Sequence, residues 1–282
     1  MNVADLLADA TARIAAATGL DTREARLETR VLAAHAWSVD AAWLIAHDTD
    51  SVAATHQAAF EALVSQRQAG TPIAYLVGRR EFYGRPFQVS PAVLIPRPDT
   101  ERLVELALAR IPSDRAVAVL DLGTGSGCIA LTLALERPLA RVTAVDQSAA
   151  ALDLARRNAD LLGAAAEFLS SDWFAALANR RFDLIVSNPP YIARSDAHLL
   201  RGDLRFEPRS ALVAGPEGLD DLAQLVAAAP RHLRPGAWLL LEHGCDQAGR
   251  VQALLNGHAF QNVTGWRDIS GMPRVSGGQM SE

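Results

Sequence analysis

One stretch decides the fold of this 282-residue chain: Val119-Leu120-Asp121-Leu122-Gly123-Thr124-Gly125-Ser126-Gly127. Its first, mainly apolar residues are typical of a buried strand, and its glycines permit a tight turn and close approach of a ligand to the backbone. A helical pattern follows, so the stretch predicts a strand, a turn and a helix. The spacing differs from the dinucleotide fingerprint and from a P-loop, which makes a pyrophosphate cradle a poor interpretation.

The same alternation continues on both sides of this unit. Strands are predicted at 117–122, 142–145, 167–169, 183–187 and 237–242, and helices at 126–135, 149–162 and 219–231. Strands that alternate with helices indicate an α/β fold with a mostly parallel sheet covered by helices on both faces.

The first 70 residues differ, because they are rich in Ala, Leu and Arg and show helical periodicity. Asp21 and Glu24 have the spacing of a capping box. We expect about four helices there, with a fifth short turn. The alternating segment Glu81–Val89, broken at Gly84-Arg85-Pro86, predicts a β-hairpin. The resulting domain prediction is 1–72 for a helical docking domain, 73–96 for a linker with a hairpin, and 97–282 for the α/β domain.

A proline-rich segment, Ile95-Pro96-Arg97-Pro98-Asp99-Thr100-Glu101, leads into the α/β domain. Asp99 or Thr100 is predicted to cap a helix that runs to about Ala109. Arg97 and Glu101 have two open interpretations, since they could pair with each other or brace a later loop.

Three side chains follow successive predicted strands. Asp146 ends the second strand, and Asp172 and Trp173 follow the third. Because parallel strands end at one edge of a sheet, these side chains should share a crevice with the glycine turn, where a nucleoside binds in α/β folds. A carboxylate at 146 suits ribose hydroxyls, and an acid with an indole suits an adenine ring. The alternatives are that Asp146 is a helix cap and that Trp173 is a core residue.

Another strand ends at Asn188-Pro189-Pro190-Tyr191. Two prolines fix φ and remove two backbone donors, which leaves carbonyl acceptors. Asn188 adds a side-chain acceptor, and Tyr191 offers a ring face. Acceptors beside a ring suit a planar –NH2 group of a substrate. The alternative interpretation is that the prolines merely end the strand.

With these motifs the chain resembles the class I S-adenosylmethionine-dependent methyltransferases, and most closely the release factor glutamine methyltransferases (the HemK-like family). The resemblance covers nearly the whole chain, and its motifs are Pro72–Gly78, Leu94–Glu101, Asp121–Gly127, Ser187–Ile192, Arg205–Pro208 and Leu241–Gly244. It implies a Rossmann-like, mostly parallel seven-stranded sheet with a small N-terminal helical bundle and a connecting β-hairpin.

The resemblance also implies S-adenosylmethionine as cofactor and a set of site residues. The expected donor contacts are Gly123, Thr124, Gly125, Ser126, Gly127, Asp146, Asp172, Trp173 and Asn188. The expected substrate contacts are Asn188, Pro189, Pro190 and Tyr191, of which Asn188, Pro189 and Tyr191 are the predicted catalytic residues. The C-terminal Val275–Met280 departs from the family pattern, which concerns a predicted edge strand rather than the site.

The implied activity is methylation of the side-chain amide nitrogen of a glutamine in a Gly-Gly-Gln-type loop of peptide chain release factors. The alternative activity is methylation of an adenine amino group in DNA or RNA, which needs the same acceptors but also base capture and a basic surface. A formal charge of −5 argues weakly against nucleic acid. A second alternative is a protein that binds the donor but catalyses no reaction. The intact glycine turn, Asp121–Gly127, and the intact Asn-Pro-Pro-Tyr motif argue against it.

Other features limit the remaining possibilities. No apolar run reaches the roughly 18 residues of a membrane span, and the N-terminus lacks a basic signal region, so a cytoplasmic protein without membrane contact is expected. No cluster of His or Cys residues indicates a metal, and Cys128 and Cys245 are expected to be buried thiols. The long segment 192–216 is predicted to be a lid or a partner-docking surface, although Glu207-Pro208 could be structural.

Overall fold

A computed structural model describes residues 1–281, so the last residue of the predicted 97–282 domain lies outside the described range. The chain divides into two compact units. The first contains Met1–Arg79 and Ala197–Phe206, and the second contains Arg80–Asp196 and the chain from Glu207 onward. The functional division into domains at residues 72 and 96 stays a prediction.

The first unit is a small helical bundle. Its helices are α1 (Val3–Thr18), α2 (Thr22–Trp37), α3 (Ala41–Ala46), α4 (Ala54–Gln68) and α5 (Ile73–Val77). They enclose an apolar core that includes Leu6, Leu32 and Phe60. The predicted capping box begins α2, because the Asp21 carboxylate accepts a hydrogen bond of 2.8 Å from the Glu24 N–H.

The predicted hairpin is formed by β1 (Arg79–Phe82) and β2 (Arg85–Gln88). Its turn lies at Tyr83-Gly84, where both residues have positive φ, 52° and 73°. Two-residue hairpin turns favour this left-handed geometry because it matches the twist of the strands. The predicted break at Gly84-Arg85-Pro86 is therefore slightly late. Pro86 lies within β2, which is possible because each strand of a two-stranded sheet has a free edge.

The second unit is built on a seven-stranded sheet. Its elements after the hairpin are α6 (Glu101–Leu108), β3 (Ala118–Leu122), α7 (Cys128–Glu136), β4 (Arg141–Asp146), α8 (Ala149–Leu162), β5 (Glu167–Ser170), β6 (Phe182–Ser187), α9 (Asp220–Ala228), β7 (Leu233–Glu242), α10 (Ala248–Asn256), β8 (Phe260–Arg267) and β9 (Pro273–Met280). The strand order is β5-β4-β3-β6-β7-β9-β8, and only the pairings of β9 are antiparallel. The predicted mostly parallel α/β fold is confirmed.

Both faces of the central strands β3, β4 and β6 are buried, which explains their continuous apolar character. Along β6, Leu184 and Val186 contribute to one apolar cluster, whereas Ile185 contributes to the cluster on the other side. The alternation follows from the period of two in a strand. The sheet is thus a rigid support whose carboxyl edge is the place left for a ligand.

The prediction that the C-terminal segment forms an edge strand is wrong, because β9 lies between β7 and β8. Its glycines are required by packing. A Cβ on Gly277 would lie 2.6 Å from the Leu239 carbonyl oxygen, and one on Gly278 would lie 2.8 Å from Phe260 Cβ.

The prediction that Asp99 or Thr100 caps α6 is confirmed for position only, because Thr100 is the N-cap residue but its side chain makes no capping hydrogen bond. A 3₁₀ turn at Pro98–Thr100 precedes the helix. Neither the N-terminus of this turn nor the N-terminus of α6 is capped by a side-chain hydrogen bond. Asp99 instead pairs with Arg274 at 3.2 Å. Proline in a first turn needs no cap for its own nitrogen, because that nitrogen carries no hydrogen. The Thr100 hydroxyl is consequently available to the site described below.

Candidate active site

A cavity of about 250 Å³ opens at the carboxyl ends of the central strands in the second unit. β3 pairs with β4 on one side and with β6 on the other, so the edge there is a topological switch point, where open α/β sheets bind ligands. The predicted site residues that line the cavity are Gly123, Thr124, Gly125, Ser126, Asp146, Asp172, Trp173, Asn188 and Pro190. Gly127, Pro189 and Tyr191 are not among the lining residues.

The glycine turn is clamped to β4 by backbone hydrogen bonds. The N–H groups of Gly123 and Thr124 both donate to the Val145 carbonyl at 2.9 Å. Gly125 N–H donates to Asp146 Oδ2, also at 2.9 Å. Gly123 and Gly125 have φ of 72° and 55°, a region that favours glycine. The turn is therefore held in place before any ligand contacts it.

Asp146 is not the cap of α8. Ser148 caps that helix by accepting a hydrogen bond of 3.2 Å from Ala151 N–H. The two carboxylate oxygens of Asp146 accept from Gly125 N–H and Ser148 N–H, both at 2.9 Å. The carboxylate thus joins the glycine turn to the start of α8, and it lines the cavity.

Trp173 contacts both the cavity and the apolar core. Its ring borders the cavity and also packs against the apolar cluster that contains Leu225. A Cβ on Gly123 would lie 3.3 Å from this ring, so the indole lies directly over the glycine turn. Trp173 has φ of 46°, a strained value for a bulky residue and one typical of functional sites.

Two cavity residues of α9, Asp221 and Gln224, were not predicted from the sequence. Burial raises the pKa of Asp221, as does the nearby Asp220, and a hydrogen bond with Trp173 acts in the opposite direction. The paired acids at 220 and 221 resemble ordinary first-turn acids that favour a helix N-terminus. Their pattern therefore gave no signal of a ligand site.

Asn188 is bound to the proline-rich segment through its side chain. Its Nδ2 donates to Thr100 Oγ1 at 3.2 Å. This hydrogen bond engages the amide nitrogen and leaves Oδ1 as the acceptor for a ligand. Thr100, which stands at the N-cap position of α6, also lines the cavity and therefore belongs to the site.

Tyr191 lies outside the cavity lining, and its predicted contact with a substrate amide stays a prediction. It packs against the same apolar cluster as Trp173, and its main-chain carbonyl accepts from Gln247 Nε2 at 2.9 Å. Burial raises the pKa of Tyr191 well above its ordinary value, and the charge of Glu242 adds to the rise. The phenol is therefore neutral at physiological pH and cannot act as a base.

Arg97, which lines the cavity, forms an ion pair with the buried Glu207. The other carboxylate oxygen of Glu207 accepts from Ile95 N–H at 3.2 Å. Glu101 does not pair with Arg97 in this arrangement, since it accepts from Tyr83 N–H at 2.9 Å. The structural alternative for Glu207 thus agrees with the geometry. Beyond it, Pro208, Ser210 and Ala211 line the cavity, and the lid function of 192–216 stays a prediction.

Within residues 1–281, no group of side chains is arranged to hold a metal ion. In the same range, no helix combines the length and apolar character of a bilayer span. Cys128 is buried as predicted, whereas Cys245 is exposed, so that part of the prediction is wrong.

Two protein families match this chain. The PrmC N-terminal domain matches residues 5–78, and the Methyltransferase small domain matches residues 102–203. A release factor glutamine methyltransferase of Bordetella pertussis is 54% identical over 256 residues, which cover 90% of this chain and 95% of that protein. The chain belongs to the release factor glutamine methyltransferase family.

Further members of the family agree. The Xylella fastidiosa (strain Temecula1) enzyme is 51% identical over 95% of this chain and 97% of its own length. The Pseudomonas aeruginosa enzyme is 50% identical over 92% and 94%. The similarity to these enzymes thus extends over both units of the chain.

Solved structures with this fold are methyltransferases. A Pyrococcus furiosus methyltransferase has a TM-score of 0.55 at 18% identity, over 79% of this chain and 98% of its own. A T. thermophilus 16S rRNA methyltransferase, solved with AdoMet and guanosine, has a TM-score of 0.55 at 24% identity, over 72% and 49%. These similarities confirm the class I methyltransferase fold.

S-adenosylmethionine is the cofactor of this class, and the cavity fits it. Gly125 lines the cavity, and a Cβ placed on it would meet no atom within 4 Å, so a ligand group can approach the backbone there. Asp146, Asp172 and Asp221 place carboxylates along the same cavity. Acceptors of this kind suit the hydroxyl and amino groups of a nucleoside.

Asp121, beneath the glycine turn, gives a testable dependence of stability on pH. Burial raises its pKa to about 7, against about 4 in an unfolded chain. The folded state therefore holds the proton more tightly, and this stabilisation is complete below about pH 4 and lost as the pH rises through about 7. We expect the melting temperature of Asp121→Asn to fall less than that of the wild-type protein between pH 5.5 and 8.0, measured by circular dichroism.

Comparing the melting temperatures of the wild-type protein and Asp121→Asn isolates the contribution of Asp121. Glu242, whose pKa burial also raises to about 7, has an effect of the same sign in both proteins. Burial lowers the pKa of His243, which has the opposite effect in both. Parallel pH profiles of the two melting temperatures would contradict the buried, protonated Asp121.

Proposed function

We propose that this protein transfers a methyl group from S-adenosylmethionine to the side-chain amide nitrogen of a glutamine in a peptide chain release factor, within a Gly-Gly-Gln-type loop. The observation that carries the proposal is the orientation of Asn188. Its Nδ2 is engaged by Thr100 Oγ1 at 3.2 Å, so its Oδ1 is the atom that remains for a substrate –NH2 group. Family membership supplies the substrate class, since the relatives above are named for it.

The chemical problem is that an amide nitrogen is a poor nucleophile, because its lone pair is delocalised into the carbonyl. In our proposal, Asn188 Oδ1 and the Pro189 carbonyl accept the two N–H bonds of the glutamine amide. Two fixed acceptors hold the nitrogen in line with the methyl group, which reduces the entropic part of the barrier. They also favour the positive charge that develops on nitrogen in the transition state.

S-adenosylmethionine supplies an electrophilic methyl group on a sulfonium. The chain need not provide a strong base, because the methylated nitrogen loses its proton readily once charge has developed. The raised pKa of Tyr191 agrees with this, since a neutral phenol removes no proton. Packing of the Tyr191 ring over the substrate amide remains part of the proposal.

The glycine turn and its neighbours hold the nucleoside end of the donor in this proposal. Asp146 is positioned for ribose hydroxyls, because its carboxylate is fixed by two backbone N–H groups and still has free lone pairs. Trp173 covers the turn, and Asp172 borders the same cavity. Thr124 and Ser126 line the same cavity, whereas Gly127 lies outside its lining and its donor contact stays a prediction.

The chain itself contains a Gly-Gly-Gln sequence, Gly277-Gly278-Gln279, whose environment differs from the exposed loop that we propose for the substrate. This tripeptide lies in β9, between two other strands. Gln279 Nε2 donates to the Gly236 carbonyl and its Oε1 accepts from Asn262 Nδ2, both at 2.9 Å. Its amide is therefore already satisfied and held within a sheet. A substrate glutamine needs the same sequence on an exposed loop.

The alternative substrate, an adenine amino group in nucleic acid, gains no specific support from the cavity. The formal charge of −5 disfavours phosphate binding. A protein substrate also gives the helical unit a role, and a factor that acts in translation implies the cytoplasmic location expected from the sequence.

Docking of the release factor on the helical unit is the second part of the proposal. Leu27 and Val31 of α2 are 65% and 37% exposed and lie on one face of the helix, four residues apart. In the same unit Leu200 is 74% exposed. Leu27 and Val31, exposed next to each other on α2, form the apolar surface that we propose for docking.

Asn188→Ala tests the acceptor. It should reduce kcat for methylation of a purified release factor by about 10²-fold or more, the scale for loss of an oriented polar contact, while binding of S-adenosylmethionine, measured by calorimetry, should weaken only modestly. Asn256→Ala, at the exposed end of α10, is the matched control and should keep wild-type kcat. Normal turnover by Asn188→Ala would remove Asn188 from the mechanism.

The docking surface is tested by the double variant Leu27→Asp with Val31→Asp. The KM for the intact release factor should rise about tenfold, since a buried charge weakens an apolar contact, with unchanged kcat and donor binding. Leu161→Asp, 55% exposed on α8 of the other unit, should leave this KM unchanged. An equal rise in KM for both would refute a specific surface on the bundle.

A further inference from the structure

Glu242 is a buried carboxylate that the mechanism above does not use. It ends β7 and is only 1% exposed. Its Oε2 has no hydrogen-bond partner among the described residues. Burying a carboxylate without full compensation costs stability, and unsatisfied buried groups are rare in folded proteins and call for an explanation.

The register of the sheet places Glu242 beside Asn188. β6 and β7 are parallel, and Ser187 pairs with Leu241, so the next residue of each strand, Asn188 and Glu242, follows at the same carboxyl edge. Thr100, which accepts from Asn188 Nδ2, is also a neighbour of Glu242. Three side chains from distant parts of the sequence thus meet at the cavity, with Thr100 and Asn188 in its lining and Glu242 behind them.

We propose that Glu242 is a positioning residue, whose carboxylate fixes the direction of the hydrogen bonds through Thr100 and Asn188 so that Asn188 Oδ1 faces the substrate amide. The inference deepens the proposed function and rests on it. Glu242 is not among the residues that line the cavity, so it acts through Asn188 and not on the substrate.

The direction follows from the chemistry of the three groups. An ionised carboxylate can only accept hydrogen bonds, and a hydroxyl has one hydrogen to donate. When Thr100 donates to Glu242, its oxygen can only accept from Asn188, and the atom that donates to it must be Nδ2. The other amide atom, Oδ1, then points away from Glu242. The acceptor on the cavity side is thus determined by a charge that the substrate never touches.

The groups around Glu242 keep part of it ionised. Burial raises its pKa to about 7, whereas hydrogen bonding with Thr100 and the charge of Arg274 lower it. Asp99 repels the charge, and Tyr191 and Cys128 are the other titratable neighbours that sense it. Oε2 lacks a close partner here, and hydrogen bonds around catalytic groups commonly tighten only in the substrate complex.

Glu242→Gln is the first test, because it preserves shape but adds a donor. The new –NH2 group favours a flipped Asn188 amide, which would present its own –NH2 group to the substrate. We expect kcat to fall about 10- to 100-fold, the usual range for partners that orient a functional group. The Kd for S-adenosylmethionine should remain near that of the wild-type protein. Glu167→Gln on β5, outside the cavity, is the matched control and should keep wild-type kcat.

A double-mutant cycle separates positioning from a general structural role. If Glu242 acts through Asn188, the variant Asn188→Ala with Glu242→Gln will be no slower than Asn188→Ala alone, since coupled residues are not additive. Multiplied losses in the double variant, or wild-type kcat in Glu242→Gln, would overturn the proposal.

Thr100 provides a second test if Glu242→Gln does not fold. Thr100→Ser keeps the hydroxyl and should retain most of kcat, whereas the isosteric Thr100→Val should lose about as much as Glu242→Gln. Equal kcat for the two Thr100 variants would contradict positioning of Asn188 by Glu242 through the Thr100 hydroxyl. All of these assays use the wild-type protein and a release factor as reference, so absence of wild-type activity refutes the proposed function, whereas wild-type activity with indifferent variants refutes only the role of Glu242.

Discussion

Parallel pairing of β3 with β4 on one side and with β6 on the other is the constraint on which the rest of the structure depends. It brings the carboxyl ends of these strands to one edge of the sheet, at the point where the strand order reverses. The glycine turn follows β3, Asp146 ends β4, and Asn188 follows β6. The nucleoside part and the acceptor part of the cavity are therefore adjacent because of strand order.

The polar groups behind this edge determine what the cavity can recognise. Val145 and Asp146 fix the backbone of the glycine turn. Thr100 fixes the amide of Asn188, and Glu242 lies next to both. In the proposed mechanism, the oxygen of the Asn188 amide accepts from the –NH2 group of the substrate, and the Glu242 carboxylate lies outside the cavity lining. Preorganised dipoles of this kind are the usual means of stabilising developing charge.

The sequence predicted those parts of the site that follow from local patterns. Glycines after an apolar strand, an acid at the next strand end and Asn-Pro-Pro-Tyr after another strand each carry their own signal. The participation of Thr100 could not be predicted in this way, because a Thr before a helix looks the same whether it caps the helix or contacts Asn188. Asp221 was missed for a similar reason, since first-turn acids are common on any helix.

Tertiary pairing explains the remaining differences. The insertion of β9 between β7 and β8 leaves no trace in the periodicity of either strand, so the C-terminal strand was wrongly predicted at the edge. Tyr191 is absent from the cavity lining because it packs against an apolar cluster that includes residues distant in the sequence. Local patterns thus located the cavity, whereas long-range contacts decided which side chains line it.

The most direct measurement is transfer of a labelled methyl group from S-adenosylmethionine to a purified release factor, with adenine-containing DNA and RNA in parallel and peptide mass spectrometry to locate the label. The account predicts label on the side-chain amide of one glutamine of the factor, with none on nucleic acid and none on Gln279 of the enzyme. Label on nucleic acid, or no label on the factor despite donor binding, would contradict it.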